Sequence, residues 1–303
     1  MLGAGYPDAM EQTRDEIVGV IGLGAMGAPM VRRLLREATV VITGRSPKPE
    51  LVDAGAEWAA TPRELAERAG AVLAMLPDLP QLEQALAGDD GLLAGLGDER
   101  SLLLMIGSTS SPTGVRELAA RLDQATGGRV RVVDSPVSGG VDGAEAGTLS
   151  IMLGGDAPDT ARAAQLLAPC GRPVHLGPLG AGEVAKACNQ LVVSATITAL
   201  GEATVLAERS GIDLDALWTL LGGGYAGSNL LASRKQQLVG GDDSPSGIAR
   251  YMIKDLSFAA DVAEATGTNP ALLPTLRAFF DEIVERGHGE RDITVARRVI
   301  AER

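Results

Sequence analysis

Three glycines in Gly22-Leu23-Gly24-Ala25-Met26-Gly27, set directly after the apolar run Ile17–Ile21 and directly before an amphipathic segment, leave this chain few ways to fold. A strand, a tight glycine turn and a helix in that order open the first crossover of a dinucleotide-binding sheet. Each glycine has a mechanical task. Gly22 permits the turn, Gly24 lets the backbone approach a pyrophosphate, and Gly27 lets helix and strand pack closely, with the helix N-terminus turned to the phosphates. Leu23, Ala25 and Met26 complete the candidate cofactor loop.

The pattern continues downstream. Strands are expected at 17–21, 39–43, 71–76, 101–106, 130–133 and 149–153, with helices at 28–36, 61–68 and 113–125 between most of them. Such alternation is the pattern of βαβ units on a parallel sheet. The last strands follow one another without a long helix, which suits an antiparallel edge. After Gly177 the texture turns helical, at 181–210, 213–221, 229–238, 248–266, 270–286 and 292–301, punctuated by glycines such as Gly211, Gly240 and Gly267. The expected architecture is α/β: a Rossmann-like doubly wound sheet domain over 17–179, then an all-helical domain over 180–303. Residues 1–16 are expected to be a flexible tail, lacking both the basic start and the apolar run of a signal peptide. A chain of 303 residues with 45% hydrophobic content can bury both cores.

Charge and side-chain inventory narrow the chemistry. Lys plus Arg total 27 against 39 for Asp plus Glu, a formal charge of −12, which repels polyanions and argues against a nucleic-acid partner. An anionic small molecule must then be drawn in by a few local cations. Cys170 and Cys188 make neither a disulfide framework nor a thiolate metal site, and they suit a reducing compartment, with the cytoplasm as the expectation. With only His175 and His288, histidine metal sites are excluded and hydrolase triads are poorly supplied. Glycines break one uncharged stretch, and Lys186, Asn189 and Gln190 interrupt another, so no membrane span is expected.

The second strand ends in Thr43-Gly44-Arg45-Ser46, where an acidic residue would bind an adenosine ribose 2′-hydroxyl. Arg45 instead offers a planar cation and Ser46 a hydroxyl, with Lys48 in support, a set suited to a 2′-phosphate; NADP(H) is favoured over NAD(H). Farther on, Lys186 is the one charged residue between Glu183 and Glu202. An ammonium in apolar company must be paired or neutralised, and desolvation favours the neutral amine, so a lysine there suits proton transfer. Asn189 and Gln190, three and four residues on, share its helical face and could orient a substrate oxygen. Upstream, Asp134-Ser135-Pro136-Val137-Ser138-Gly139-Gly140 follows a strand and offers small residues able to cradle a carboxylate.

These stretches together resemble the β-hydroxyacid dehydrogenase family, which includes 3-hydroxyisobutyrate dehydrogenases, tartronate semialdehyde reductases and related glyoxylate and succinic semialdehyde reductases. The likeness runs through GLGAMGAPM at 22–30, MLP at 75–77, Ser108-Thr109 before Pro112, DSPVSGG at 134–140, GTLSIMLGGD at 147–156, GAGEVAKACNQ at 180–190 and Lys254-Asp255-Leu256. The resemblance implies that Lys186 is the acid/base and that Ser138, Gly139 and Gly140 bind the substrate carboxylate, with Asn189 positioning substrate. Leu76, Pro77 and Thr109 would line the cofactor, and Lys254 would lie near the nicotinamide and the substrate. The Asn189-Gln190 pair is most like the tartronate semialdehyde reductase branch, leaving either amide as the orienting group. The implied substrate is a small anionic oxo or hydroxy acid, and the implied assembly a homodimer or homotetramer. Imine-reducing relatives usually carry Asp or Tyr in place of Lys186, and non-catalytic scaffold relatives have lost the lysine; both stand as alternatives.

Overall fold

The computed structural model describes residues 16–303. The expected tail thus lies outside the described residues except for Glu16, which is part of the folded chain. Its carboxylate accepts from Arg162 Nε at 3.0 Å, and Arg162 also donates to the Gly70 carbonyl at 3.1 Å. The described chain divides into two compact units, the first ending at Lys186 and the second running from Ala187 to Arg303.

In the first unit the elements run β1 (Ile17–Ile21), α1 (Gly27–Leu34), β2 (Thr39–Thr43), α2 (Pro49–Val52), β3 (Glu57–Trp58), α3 (Pro62–Arg68), β4 (Ala71–Ala74) and α4 (Leu79–Leu86). They continue with β5 (Leu102–Ile106), α5 (Pro112–Thr126), β6 (Val130–Asp134), β7 (Val137–Ser138), α6 (Gly140–Ala146), β8 (Leu149–Gly154), α7 (Ala157–Leu167) and β9 (Gly171–Gly177). The strands form one sheet in the order β3-β2-β1-β4-β5-β6-β8-β7, with β9 also paired to β8. The pairs from β3 through β6 are parallel, while β8 runs antiparallel to β6 and β7. The antiparallel edge expected from the sequence is therefore present.

Two cores lie on opposite faces of this sheet, and the strand period of two sorts side chains between them. Val18, Val20, Leu73, Leu103 and Met105 face one core with Met30, Val31 and Leu34 of α1 and Leu166 and Leu167 of α7. Val72, Ala74, Leu102, Leu104 and Ile106 face the other with Leu65 of α3, Leu82 of α4 and Val115 and Leu118 of α5. Strands covered on both faces read as continuous apolar runs, which is why β1, β2, β4 and β5 are legible in the sequence. β9 was not: it lies at an edge, most of its residues are exposed, and its sequence lacks such a run. Expected boundaries moved as well. The strand placed at 71–76 ends at Ala74, freeing residues 75–77 for the strand-end loop.

Three helices of the first unit start on side-chain caps. Thr61 accepts the amide of Glu64, Asp78 that of Leu79, and Ser111 that of Gly114, each followed within two residues by a proline that needs no partner for its nitrogen.

α8 (Ala181–Arg209) contains the division between the units, and the second unit adds α9 (Leu214–Gly223), α10 (Asn229–Gly240), α11 (Tyr251–Thr266), α12 (Leu273–Glu285) and α13 (Ala296–Ala301). Its core gathers Ile197, Leu200, Trp218, Leu238, Leu256, Phe280 and Val299. Trp218 donates its indole N–H to the Leu231 carbonyl at 3.1 Å. Buried Asp292 ties the chain's last turn down, accepting from Ser246 Oγ, from the Gly247 amide and from the Thr294 amide. Among the described residues α8 is the one helix long and apolar enough to cross a membrane by length and composition. Its polar side chains Lys186, Gln190 and Ser194 are nevertheless buried and hydrogen-bonded within the protein.

The glycine turn is held tightly on two sides and open on the third. Gly22 has φ +96°, and a Cβ there would sit against the Met75 carbonyl; a Cβ on Gly27 would sit against the carbonyl of Gly22. Nothing lies within 4 Å of a Cβ built on Gly24. Gly27→Ala must displace backbone and is expected to destabilise by roughly 1–3 kcal/mol, whereas Gly24→Ala should stay within about 0.5 kcal/mol of the parent. Urea unfolding of both variants checks this, and equal losses would contradict the packing described.

Candidate active site

Backbone hydrogen bonds continue past the ends of the parallel strands and align their loops along one edge of the sheet. The amide of Met75 donates to Ile21 O at 2.7 Å, that of Gly107 to Ala74 O at 2.9 Å, and that of Ser135 to Ile106 O at 2.7 Å. Segments 22–27, 75–77, 107–110 and 135–140 therefore follow one another along the carboxyl ends of β1, β4, β5 and β6, where open α/β sheets bind ligands. The order 3-2-1-4-5-6 reverses direction between β1 and β4, beside the glycine turn. Such a switch point supports the crevice that takes a dinucleotide.

The residues there fit that group. Gly24 and Ala25 are exposed at the turn, Leu23 is buried beneath it, Met26 is half-buried, and α1 carries no acidic residue in its first turn to compete with a phosphate. The open space beside Gly24 is where a backbone can approach a pyrophosphate. Leu76 and Thr109 are half-buried and Pro77 is exposed, all on the two neighbouring strand ends. Arg45 and Ser46 stand exposed just after β2, with Lys48 half-buried at the start of α2.

β7 carries the next group. Val137 and Ser138 pair with Ile151 and Ser150 of β8, and the chain then turns through Gly139 at φ 136° and Gly140 at φ 65°. Ser138 is half-buried and both glycines are exposed, so this turn presents a hydroxyl and accessible backbone. Lys186 is only 8% exposed, and its Nζ donates to the Val137 carbonyl at 2.8 Å. The ammonium therefore does not extend to solvent along the helix edge. It is held inside the first unit, against the carbonyl of the residue that precedes Ser138.

The start of α8 is fixed by two carboxylates that sequence reasoning did not single out for a role. Asp134, fully buried at the end of β6, accepts the amides of Gly180 and Glu183. Burial pushes its carboxyl above the usual range, and the helix-start amides pull it back. Glu183 in turn accepts the amide of Ser110 at 3.0 Å. The available signal was modest: an acidic residue ending an apolar strand, and another one turn before the lone lysine. The remaining buried ionisable group of this unit, Cys170, has its thiol pushed up to about 12 by burial, which leaves it an inert core residue.

In the second unit, Gln190 is buried and its amide is engaged: Nε2 donates to Asp255 at 2.6 Å, and Oε1 accepts from Asn189 at 2.9 Å. Asn189 is half-buried beside it. Asp255 holds Gln190 and leaves Asn189 the less enclosed of the two. Lys254 is half-buried on α11, with Nζ 5.6 Å from the Phe258 ring centre. It lines a pocket of about 260 Å³ with Arg250, Ser257, Arg277 and Asp281. The three cations of this lining are partly offset by Asp281 beside them and by Glu290, which pairs with Arg250.

Comparison with known proteins agrees with these features. Residues 17–180 match the family model described as the NAD binding domain of 6-phosphogluconate dehydrogenase, and residues 180–300 that described as the NAD-binding domain of NADP-dependent 3-hydroxyisobutyrate dehydrogenase. An NAD-dependent L-serine dehydrogenase of Pseudomonas aeruginosa is 33% identical, the match covering 93% of this chain and 97% of that protein. A 2-hydroxy-3-oxopropionate reductase of Escherichia coli is 32% identical over 91% of this chain and 94% of its own length. The crystal structure of a 3-hydroxyisobutyrate dehydrogenase from Salmonella typhimurium superposes with a TM-score of 0.84 at 28% identity, covering 94% of this chain and all of that one. With both family models matched and relatives of over 30% identity matched over nearly their whole length, the chain belongs to the β-hydroxyacid dehydrogenase family.

Proposed function

We propose that the chain is an NADP(H)-dependent oxidoreductase interconverting a short 3-hydroxy acid and its semialdehyde, or reducing a small oxo acid such as glyoxylate. The observation that carries this reading is the buried Lys186 ammonium, bonded to the carbonyl next to Ser138. When bound, the nicotinamide supplies or accepts the hydride. Lys186 hands a proton to the substrate oxygen during reduction and takes it from the hydroxyl during oxidation. The Ser138 hydroxyl and the backbone of Gly139 and Gly140 hold the substrate carboxylate, and Asn189 directs the reacting oxygen. Lys254 adds a cation for the anionic ligands.

The site has an electrostatic logic. Val137 O accepts from Lys186 Nζ, a bond the lysine can exchange for one to the substrate oxygen. An imine-reducing or scaffold role has less support, because a lysine held in this way is what proton delivery to an oxygen requires. For the cofactor, Gly22 to Gly27 take the pyrophosphate, Leu76, Pro77 and Thr109 line it, and Arg45, Ser46 and Lys48 take the 2′-phosphate. Gly44 leaves room after β2, and residues 44–48 contain no carboxylate to bind a free 2′-hydroxyl.

Assembly follows from exposed apolar side chains. Val192 and Leu206 on α8 and Leu220 on α9 are 63%, 68% and 73% exposed. We propose that a homodimer or homotetramer covers them.

Three measurements check these readings. Lys186→Ala should lower kcat by roughly 10²–10⁴ while NADPH still binds, read by steady-state kinetics and by fluorescence titration; an undiminished rate would remove the acid/base assignment. Arg45→Glu should weaken NADPH by at least about tenfold, in keeping with the roughly 1.5–3 kcal/mol of a charged hydrogen bond, and leave NADH almost unaffected; equal losses would show that Arg45 does not read the 2′-phosphate. Light scattering should give a dimer or tetramer, and a monomer would refute the assembly proposed.

A further inference from the structure

Asp134 and Glu183 reach the first turn of α8 from two directions, and neither has a place in the chemistry above. Asp134 comes from the sheet. Its Oδ1 accepts the Gly180 amide at 2.7 Å and its Oδ2 the Glu183 amide at 2.8 Å, so both oxygens are spent on the helix start. Glu183 comes from the helix. It is 1% exposed, and its Oε2 accepts the backbone amide of Ser110, in the loop after β5. The packing has little slack, because a Cβ built on Gly154 or on Gly182 would fall against the Asp134 carboxylate. Lys186 lies one turn beyond Glu183, and its Nζ meets Val137 O, three residues after Asp134. A shift or rotation of that first turn carries Lys186 with it.

We propose that Glu183 is a positioning residue, braced by Asp134: together they lock the first turn of α8 to the loops after β5 and β6 and so fix where Lys186 presents its proton. This rests on the reading of Lys186 as the acid/base. The brace acts through hydrogen-bond acceptance at the Ser110 amide. A buried amide left without an acceptor costs about 1–3 kcal/mol, and the structure relieves that cost by moving.

The test compares Glu183→Ala, Glu183→Asp and Glu183→Gln with Lys186→Ala in the full-length protein. Glu183→Ala deletes the acceptor, Glu183→Asp keeps a carboxylate one methylene too short to reach Ser110 unmoved, and Glu183→Gln keeps an acceptor at full length. Because a displacement near 1 Å can cost about a hundredfold in rate, the expected loss of kcat is tenfold or more for Ala and Asp, with KM and NADPH affinity within about twofold. Gln should restore kcat to within about threefold of the parent. If the Ala variant does not fold, the Asp variant gives the same reading. Full kcat in the Ala or Asp variant with only a lowered Tm makes Glu183 a purely structural residue and overturns the proposal; so does a Gln variant as impaired as Ala. Turnover surviving in Lys186→Ala would instead locate the failure in the acid/base reading.

Discussion

Holding a lysine ammonium out of water costs several kcal/mol unless oxygen atoms replace the lost hydration, and the first unit is arranged around meeting that cost at Lys186. The carbonyl that does so belongs to Val137, in a two-residue strand at the sheet's antiparallel edge. Val137 is available because β7 is short and turns at once into the glycines 139 and 140. Had β7 continued, the turn through Gly139 and Gly140 would be lost. The edge strand, the glycine turn and the buried ammonium therefore form one feature, and none of them suits the site without the others.

The doubly wound sheet supplies the frame for that feature. Covering both faces with helices forces the polar loops to the strand ends, and the bonds from Met75, Gly107 and Ser135 to the preceding strands bring those loops into a row. The Gly22 turn and the Ser138 turn then lie along the same edge. Gly22, Gly24 and Gly27 illustrate how unequal three glycines of one motif can be. Two are needed because backbone crowds them, while the middle one stands beside open space.

Much of this was legible in the sequence, for identifiable reasons. β1 and β2 are read from β-branched runs closed by glycine, and α8 from a long segment with no proline. Lys186 stood out as a single charge in apolar company. Its partner did not, because a backbone carbonyl leaves no mark in a sequence. The engagement of Gln190 with Asp255 was hidden for a related reason: helical periodicity gives the face on which an amide lies but not the residue, 65 positions away, that holds it. β9 escaped because an exposed edge strand needs no apolar run, and Asp134 and Glu183 because one carboxylate in a motif looks like any other until its acceptor geometry is seen. Glu16 was read as tail for want of any local signal, since what folds it in is Arg162, far along the chain.

The account stands or falls on Lys186 reaching the reacting oxygen. A crystal structure of the protein with NADP⁺ and a short 3-hydroxy acid tests this most directly. The account predicts Lys186 Nζ within about 2.6–3.2 Å of the substrate hydroxyl, the reach of proton transfer, with the carboxylate at Ser138 and Gly139. A hydroxyl bonded to a different ionisable side chain, with Lys186 still turned to Val137 O, would contradict it.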